Sequence, residues 1–164
     1  MGKLKYLVIH CTDTPPDFPV TRAKLEQWHL VERGWDRLGY SDMIHRNGVV
    51  ENLTPYNEDD IVSNDEKTWG CSGINSSSRH IVLEGGRDKD NKSVFGAIQD
   101  IFTAAQFIAL NTYIHQFVHL HPDATIAGHY QFLSAKKQGK KCPGFDVQDI
   151  LMTIGIPVNN RMHK

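Results

Sequence analysis

The chain has 164 residues, enough for one domain that buries roughly 70% of the surface its unfolded form exposes. Hydrophobic residues make up 40% and charged residues 23%, the balance of an ordinary globular protein. A net charge of −1 gives no footing to a nucleic-acid binder or to a protein held on an anionic membrane. No apolar run approaches the roughly 18 residues of a membrane span. The opening MGKLKYLVIH is too short and too mixed for an export signal, so the expectation is a protein made in the cytosol. Three cysteines, Cys11, Cys71 and Cys142, are an odd number without a regular framework, and a disulfide scaffold is not expected.

In chain order, LKYLVIHC from Leu4 to Cys11 reads as a buried strand ending at His10. The proline-rich TDTPPDFP that follows cannot continue a ladder and is a loop. Thr21 is placed to cap a helix through RAKLEQWHLVERG, with Leu25, Trp28 and Val31 as its apolar stripe and Gly34 as its stop. SDMIHRNGVVENL predicts a hairpin turning at Asn47-Gly48. Thr54 to Lys67 reads as loop, RHIVLEGG from Arg79 to Gly86 as a third strand, and RDKDNKS as a solvated loop. From Thr103 to Leu120 the positions Phe107, Leu110, Ile114, Phe117 and Val118 keep helical spacing. ATIAGH is a short strand ending at His129, and VQDILMTIG a final helix. Strands and helices intermix throughout, which predicts one α/β domain with a mixed sheet.

Nine histidines invite a metal reading, and most have a plainer one. His115 and His119 are four apart on a helix, but Gln116 stands where a metalloprotease helix has its glutamate, so a solvated face is expected. His29, His45, His80, His121 and His163 lack a partner at a telling spacing and read as surface or locally bonded. His10 and His129 differ, because each closes a buried strand where the chain enters a loop, a rigid platform suited to ligands. With Cys142 ahead of Pro143 they would complete a three-ligand zinc site with a position open for water; spacing alone leaves a structural reading equally open. Cys11 follows His10 on the strand and points to the opposite face, as a small apolar residue. Cys71 in WGCSG is a conceivable nucleophile for which no base is evident.

Taken in order, VIHCT, GWDRLGYSDMIHRNG, LEGG, FTAAQ, AGH and CPGFD resemble the zinc-dependent N-acetylmuramoyl-L-alanine amidase family, closest to phage enzymes of the T7 lysozyme type. The resemblance runs from about Leu4 to Ile150. It implies the fold shared with peptidoglycan-recognition proteins: a single α/β domain over 1–164, core about 4–155, with a central mixed β-sheet flanked by helices. It implies one zinc per chain on His10, His129 and Cys142, and catalytic roles for Tyr40 in LGYSDMI and Lys140, two residues before the cysteine. If the segment before Cys142 is extended, Lys140 shares the face of Cys142 and Lys141 looks away.

The implied reaction is hydrolysis of the lactyl–L-alanine amide of peptidoglycan by a monomer that acts on the wall after lysis or non-classical export. The alternative from another class is a recognition protein that binds peptidoglycan without cutting it. Where cytosolic muropeptide amidases of the family carry a glutamate, this chain has Val82, so Glu84 is expected to be structural. Two further departures stand out. Ser78-Arg79-His80 replaces the common Ser-Ile-Gly, and the histidine usual in the loop before that strand is absent from WGCSGIN.

Overall fold

A computed structural model describes residues 1–96 and 98–163. Strand β2 (Tyr6–Cys11) is an inner strand of a five-stranded sheet ordered β4 (Val50–Asn52), β3 (Asp42–Ile44), β6 (Ser78–Leu83), β2, β7 (Thr125–Gly128). All neighbours run parallel except the β3–β4 hairpin, which pairs Ile44 with Val50 around Asn47-Gly48. Both β2 and β6 are buried almost throughout; β2 reads as a near-continuous apolar run, whereas the first half of β6, Ser78-Arg79-His80, is polar.

The two faces have different company. Leu7, Ile9, Cys11, Ile81 and Leu83 pack on Leu110, Ile114 and Phe117 of α3 (Ala104–Leu120) and on Leu151 of α5 (Val147–Thr153). Val82 and Met43 on the opposite face meet Leu25 of α1 (Arg22–Glu26). His10 and Cys11 therefore do look to opposite faces. Burying one such aliphatic side chain contributes about 1.5–3 kcal/mol.

The helix starts follow from their caps. Thr103 Oγ1 accepts from the Gln106 amide at 3.2 Å, and Gln106 Oε1 accepts from the Thr103 amide at 3.0 Å. The same Gln106 donates to the Glu84 carbonyl at 2.8 Å and so pins α3 to the end of β6. Thr21 caps α1 and Asp146 caps α5.

Three expectations change. The helix after Thr21 is α only to Glu26; Gln27–Glu32 is a π-segment, closed by the Arg33 amide on the Trp28 carbonyl at 3.1 Å. The wider winding turns Val31 out, 68% exposed, and His29 in, 3% exposed. The stretch read as loop from Thr54 holds β5 (Ile61–Val62), which pairs with β1 (Gly2–Lys3) in a two-stranded ribbon. The loop after Gly86 is not merely solvated. Arg87 and Ser93 donate to the Asp13 carboxylate at 2.8 and 2.9 Å, which ties that loop to the chain leaving β2. The described residues also include the short α-helices α2 (Ile98–Ile101) and α4 (Leu133–Lys137).

Candidate metal centre and catalytic cleft

The parallel pairing of β2 with β7 brings His10 and His129 side by side, ring centroids 4.6 Å apart. Cys142 reaches them from the loop before α5. That loop is held by the Tyr130 amide, which donates to the Cys142 carbonyl at 3.0 Å. One ligand atom from each of His10, His129 and Cys142 lies within 4.8 Å of the others. Cys142 Sγ is 3.7 Å from His10 Nδ1. Zinc–sulfur and zinc–nitrogen bonds at a tetrahedral angle put such atoms about 3.6 Å apart, so the donor set fits a zinc ion.

The electrostatics also suit a cation. Burial, then the neighbouring His129 and His80, lowers the pKa of His10 well below 6.5. Burial, then Lys140, lowers His129 to about 4, and both imidazoles are neutral, as ligation requires. Burial first, and the adjoining Cys11 thiol second, push the Cys142 thiol well above its usual value. The Cys11 amide donates to its sulfur at 3.3 Å, which is insufficient alone. The net effect of these groups disfavours the thiolate. A metal ion is what would favour it.

These groups line a cavity of about 620 Å³ together with Tyr40, Trp28, Trp35 and Lys140. A second cavity of about 630 Å³ shares Trp35, Trp69, His129 and Lys140 with it and continues toward Ser72 and Gln138. The Tyr40 ring is 5.2 Å from that of His10. Burial, then Cys142, raises its pKa, which keeps the phenol a proton donor at neutral pH. Behind it sits His29, whose Nδ1 accepts from the Gly39 amide at 3.2 Å; burial, then Arg33, lowers it to about 4. His29 is thus a neutral buried support for Tyr40, not a surface residue.

The segment before Cys142 is not extended. It runs through α4 and a turn in which the Lys140 amide donates to Ala135. Both Lys140 and Lys141 line the cleft, and Lys140 is the one whose charge acts on His129. Val82 is buried, paired with His10 and Met43. Glu84 accepts from the Val20 amide at 2.9 Å and the Arg46 amide at 3.1 Å and contacts His45, a structural clasp as expected. Cys71 is buried against Ser134 at 3.5 Å, and its burial raises the thiol pKa, which disfavours a nucleophile. His115 and His119 are on the exposed face of α3.

Two features escaped the sequence reading. His80 is fully buried, its Nδ1 3.0 Å from His10 Nε2. The alternation of β6 held the signal, since His80 and Val82 share a face and Val82 pairs with His10. Trp69 stands at the rim, its indole donating to Asp36 at 2.6 Å with Lys67 4.3 Å from the ring centroid.

Comparison with known proteins agrees with this arrangement. The endolysin of Enterobacteria phage K11 is 31% identical over 153 residues, covering 93% of this chain and 89% of the relative. The endolysin of Escherichia phage T7 is 30% identical over 144 residues, covering 87% and 82%. The solved Ph2119 endolysin, from a bacteriophage of Thermus scotoductus, superposes with a TM-score of 0.69 at 19% identity, over 94% of this chain and 86% of that one. Bumblebee peptidoglycan-recognition protein SA gives 0.65 at 17% over 99% and 86%, a likeness of fold. The model of the N-acetylmuramoyl-L-alanine amidase family matches residues 1–145, and with these relatives it shows that the chain belongs to that family.

Proposed function

We propose that this chain hydrolyses the amide between the lactyl group of N-acetylmuramic acid and L-alanine in peptidoglycan, using zinc held by His10, His129 and Cys142. The observation that carries the reading is the convergence of these three side chains at one cleft in a member of an amidase family. When bound, zinc supplies Lewis acidity, which polarises a carbonyl and brings the pKa of water to about 7.

The protein's own groups do the rest. The protonated Tyr40 phenol orients the attacking water and shares in proton transfer. The Lys140 ammonium faces the charge that develops on the amide oxygen; losing one such donor costs about 10²–10³ in rate. The cleft walls at Trp28, Trp35 and Trp69 offer flat apolar surfaces to the sugar and stem peptide. The relatives named endolysins make wall lysis the setting. No described helix is long and apolar enough to cross a membrane.

The test is release of peptide from purified peptidoglycan, with metal content measured alongside. The native protein is expected to hold about one zinc per chain, to lose activity on chelation and to regain it with zinc. Cys142→Ser is expected to lose both metal and activity. Full activity in zinc-free protein would falsify the mechanism, and binding of peptidoglycan without cleavage would favour the recognition reading.

A further inference from the structure

One buried polar side chain beside the site has no part in the chemistry above. His80 on β6 is fully buried, and its neighbours across the ladder are Val8 and, beyond, Ala127. Its Nε2 has no hydrogen-bond partner among the described residues, a defect that costs about 1–3 kcal/mol. The ring also demands a glycine beside it, since a Cβ on Gly70 would sit 2.5 Å from His80 Cγ and Nδ1. An apolar side chain would pack here more cheaply. What the imidazole gains is one contact, His80 Nδ1 to His10 Nε2 at 3.0 Å.

We infer that His80 is a positioning residue for the metal centre, which fixes the tautomer and orientation of His10 by accepting a hydrogen bond from its Nε2. The inference rests on the three-ligand reading proposed above. The two nitrogens of His10 face different ways: Nδ1 is 3.7 Å from Cys142 Sγ, and Nε2 is engaged by His80. A metal bound through Nδ1 needs a lone pair there, so Nε2 keeps the proton. His80 Nδ1 is then the acceptor, and His80 carries its own proton on Nε2. Metal-bound histidines as a rule donate their second N–H to a carboxylate, a carbonyl or water, and such partners are worth about 10–100-fold in metal affinity. Here a second imidazole does that work, from the position at which Ser78-Arg79-His80 departs from the common Ser-Ile-Gly. On the sheet face that looks into the cleft, it lies diagonal to His10, where no mobile side chain is needed to reach it.

The decisive measurement is long-range nitrogen–proton correlation on the zinc-loaded protein with labelled histidines. His10 is expected to be protonated at Nε2 and bare at Nδ1, and His80 to be protonated at Nε2. A His10 protonated at Nδ1, or a His80 that donates from Nδ1, overturns the inference while leaving the metal site standing. Failure of the native protein to bind zinc overturns both readings.

Variants add an independent readout, zinc affinity by competition with a chromophoric chelator. His80→Phe keeps a ring and removes the acceptor, and is expected to weaken zinc binding about 10–100-fold. His80→Asn places an amide oxygen near the former Nδ1 and is expected to recover most of that loss. Equal affinities for the Phe and Asn variants, or a Phe variant within twofold of native, refute a role in positioning. If either variant does not fold, the tautomer measurement on the native chain decides alone.

Discussion

Asp42, on the sheet face away from the cleft's metal ligands, is the most exacting test of how the fold holds β3, the strand that follows Tyr40. Its carboxylate is buried and accepts from Tyr113 at 2.6 Å, from Tyr56 at 2.7 Å and from Asn52 Nδ2 at 2.9 Å. Burial, then the Asp42 charge, pushes the Tyr56 hydroxyl up to about 12, and the same causes raise Tyr113 well above its usual value. Asp42→Ala leaves both hydroxyls facing a void. Asn52 retains the Ser41 and Thr54 carbonyls, and the two hydroxyls, 3.4 Å apart, can bond only weakly to each other. Two hydrogen bonds to a charged acceptor, at about 1.5–3 kcal/mol each, give an expected loss of about 3–6 kcal/mol. That is a large part of a typical stability of about 5–15 kcal/mol.

Urea unfolding followed by tryptophan fluorescence reads the loss as a shift in midpoint at constant slope. Tyr113→Phe is expected to cost about half as much, and the double variant less than the sum of the two. The reasoning fails if Asp42→Ala costs less than about 1 kcal/mol, or if the two changes add. Zinc content should not change, because the three ligands come from other segments of the chain.

Tyr40→Phe is expected to lower kcat by about 10² or more with KM and zinc content held; activity within threefold of native refutes a role for the phenol. Lys140→Ala should lower kcat by about 10²–10³ and Lys141→Ala by threefold or less, and the reverse order would assign the role to Lys141. His29 titrates at about 4 in the folded protein against 6.5 in the unfolded chain. The unfolded state therefore binds the extra proton, and stability drains away as pH falls from about 6.5 to about 4. Between pH 6 and 5 the native protein should lose about 1 kcal/mol more than His29→Asn; equal slopes in urea titrations at the two pH values contradict the assignment.

Much of this architecture could be read from local rules. Thr21 marked a helix start because an unpaired amide needs a nearby oxygen, and that requirement is met within three residues. His10 and His129 stood out because a strand end is a fixed platform. What escaped depended on contacts that span the chain or on departures from regular winding. His29 turned inward because a π-segment broke the 3.6 period on which the stripe was drawn. His80 looked solitary because its partner lies 70 residues away and becomes a neighbour only through the β2–β6 register. The face of Lys140 could not be read by alternation, because the preceding residues form α4 and a turn instead of a strand. The loop from Arg87 to Ser93 read as solvent-facing because Asp13, which anchors it, lies in a distant part of the sequence, just past the end of β2.

The placement of β2 between β6 and β7 has a consequence for how the protein comes into being. The strand bearing the first ligand is made well before both its neighbours, β6 and β7, which lie far downstream. Until they emerge it has no ladder partner on either side, and such long-range parallel pairing is slow to form. A nascent fragment ending before Thr125 lacks one edge of the strand and two of the three ligands. The hydrolytic centre thus cannot assemble before Cys142 has been made, and a chain truncated ahead of it should carry no cutting activity back toward the cell that makes it.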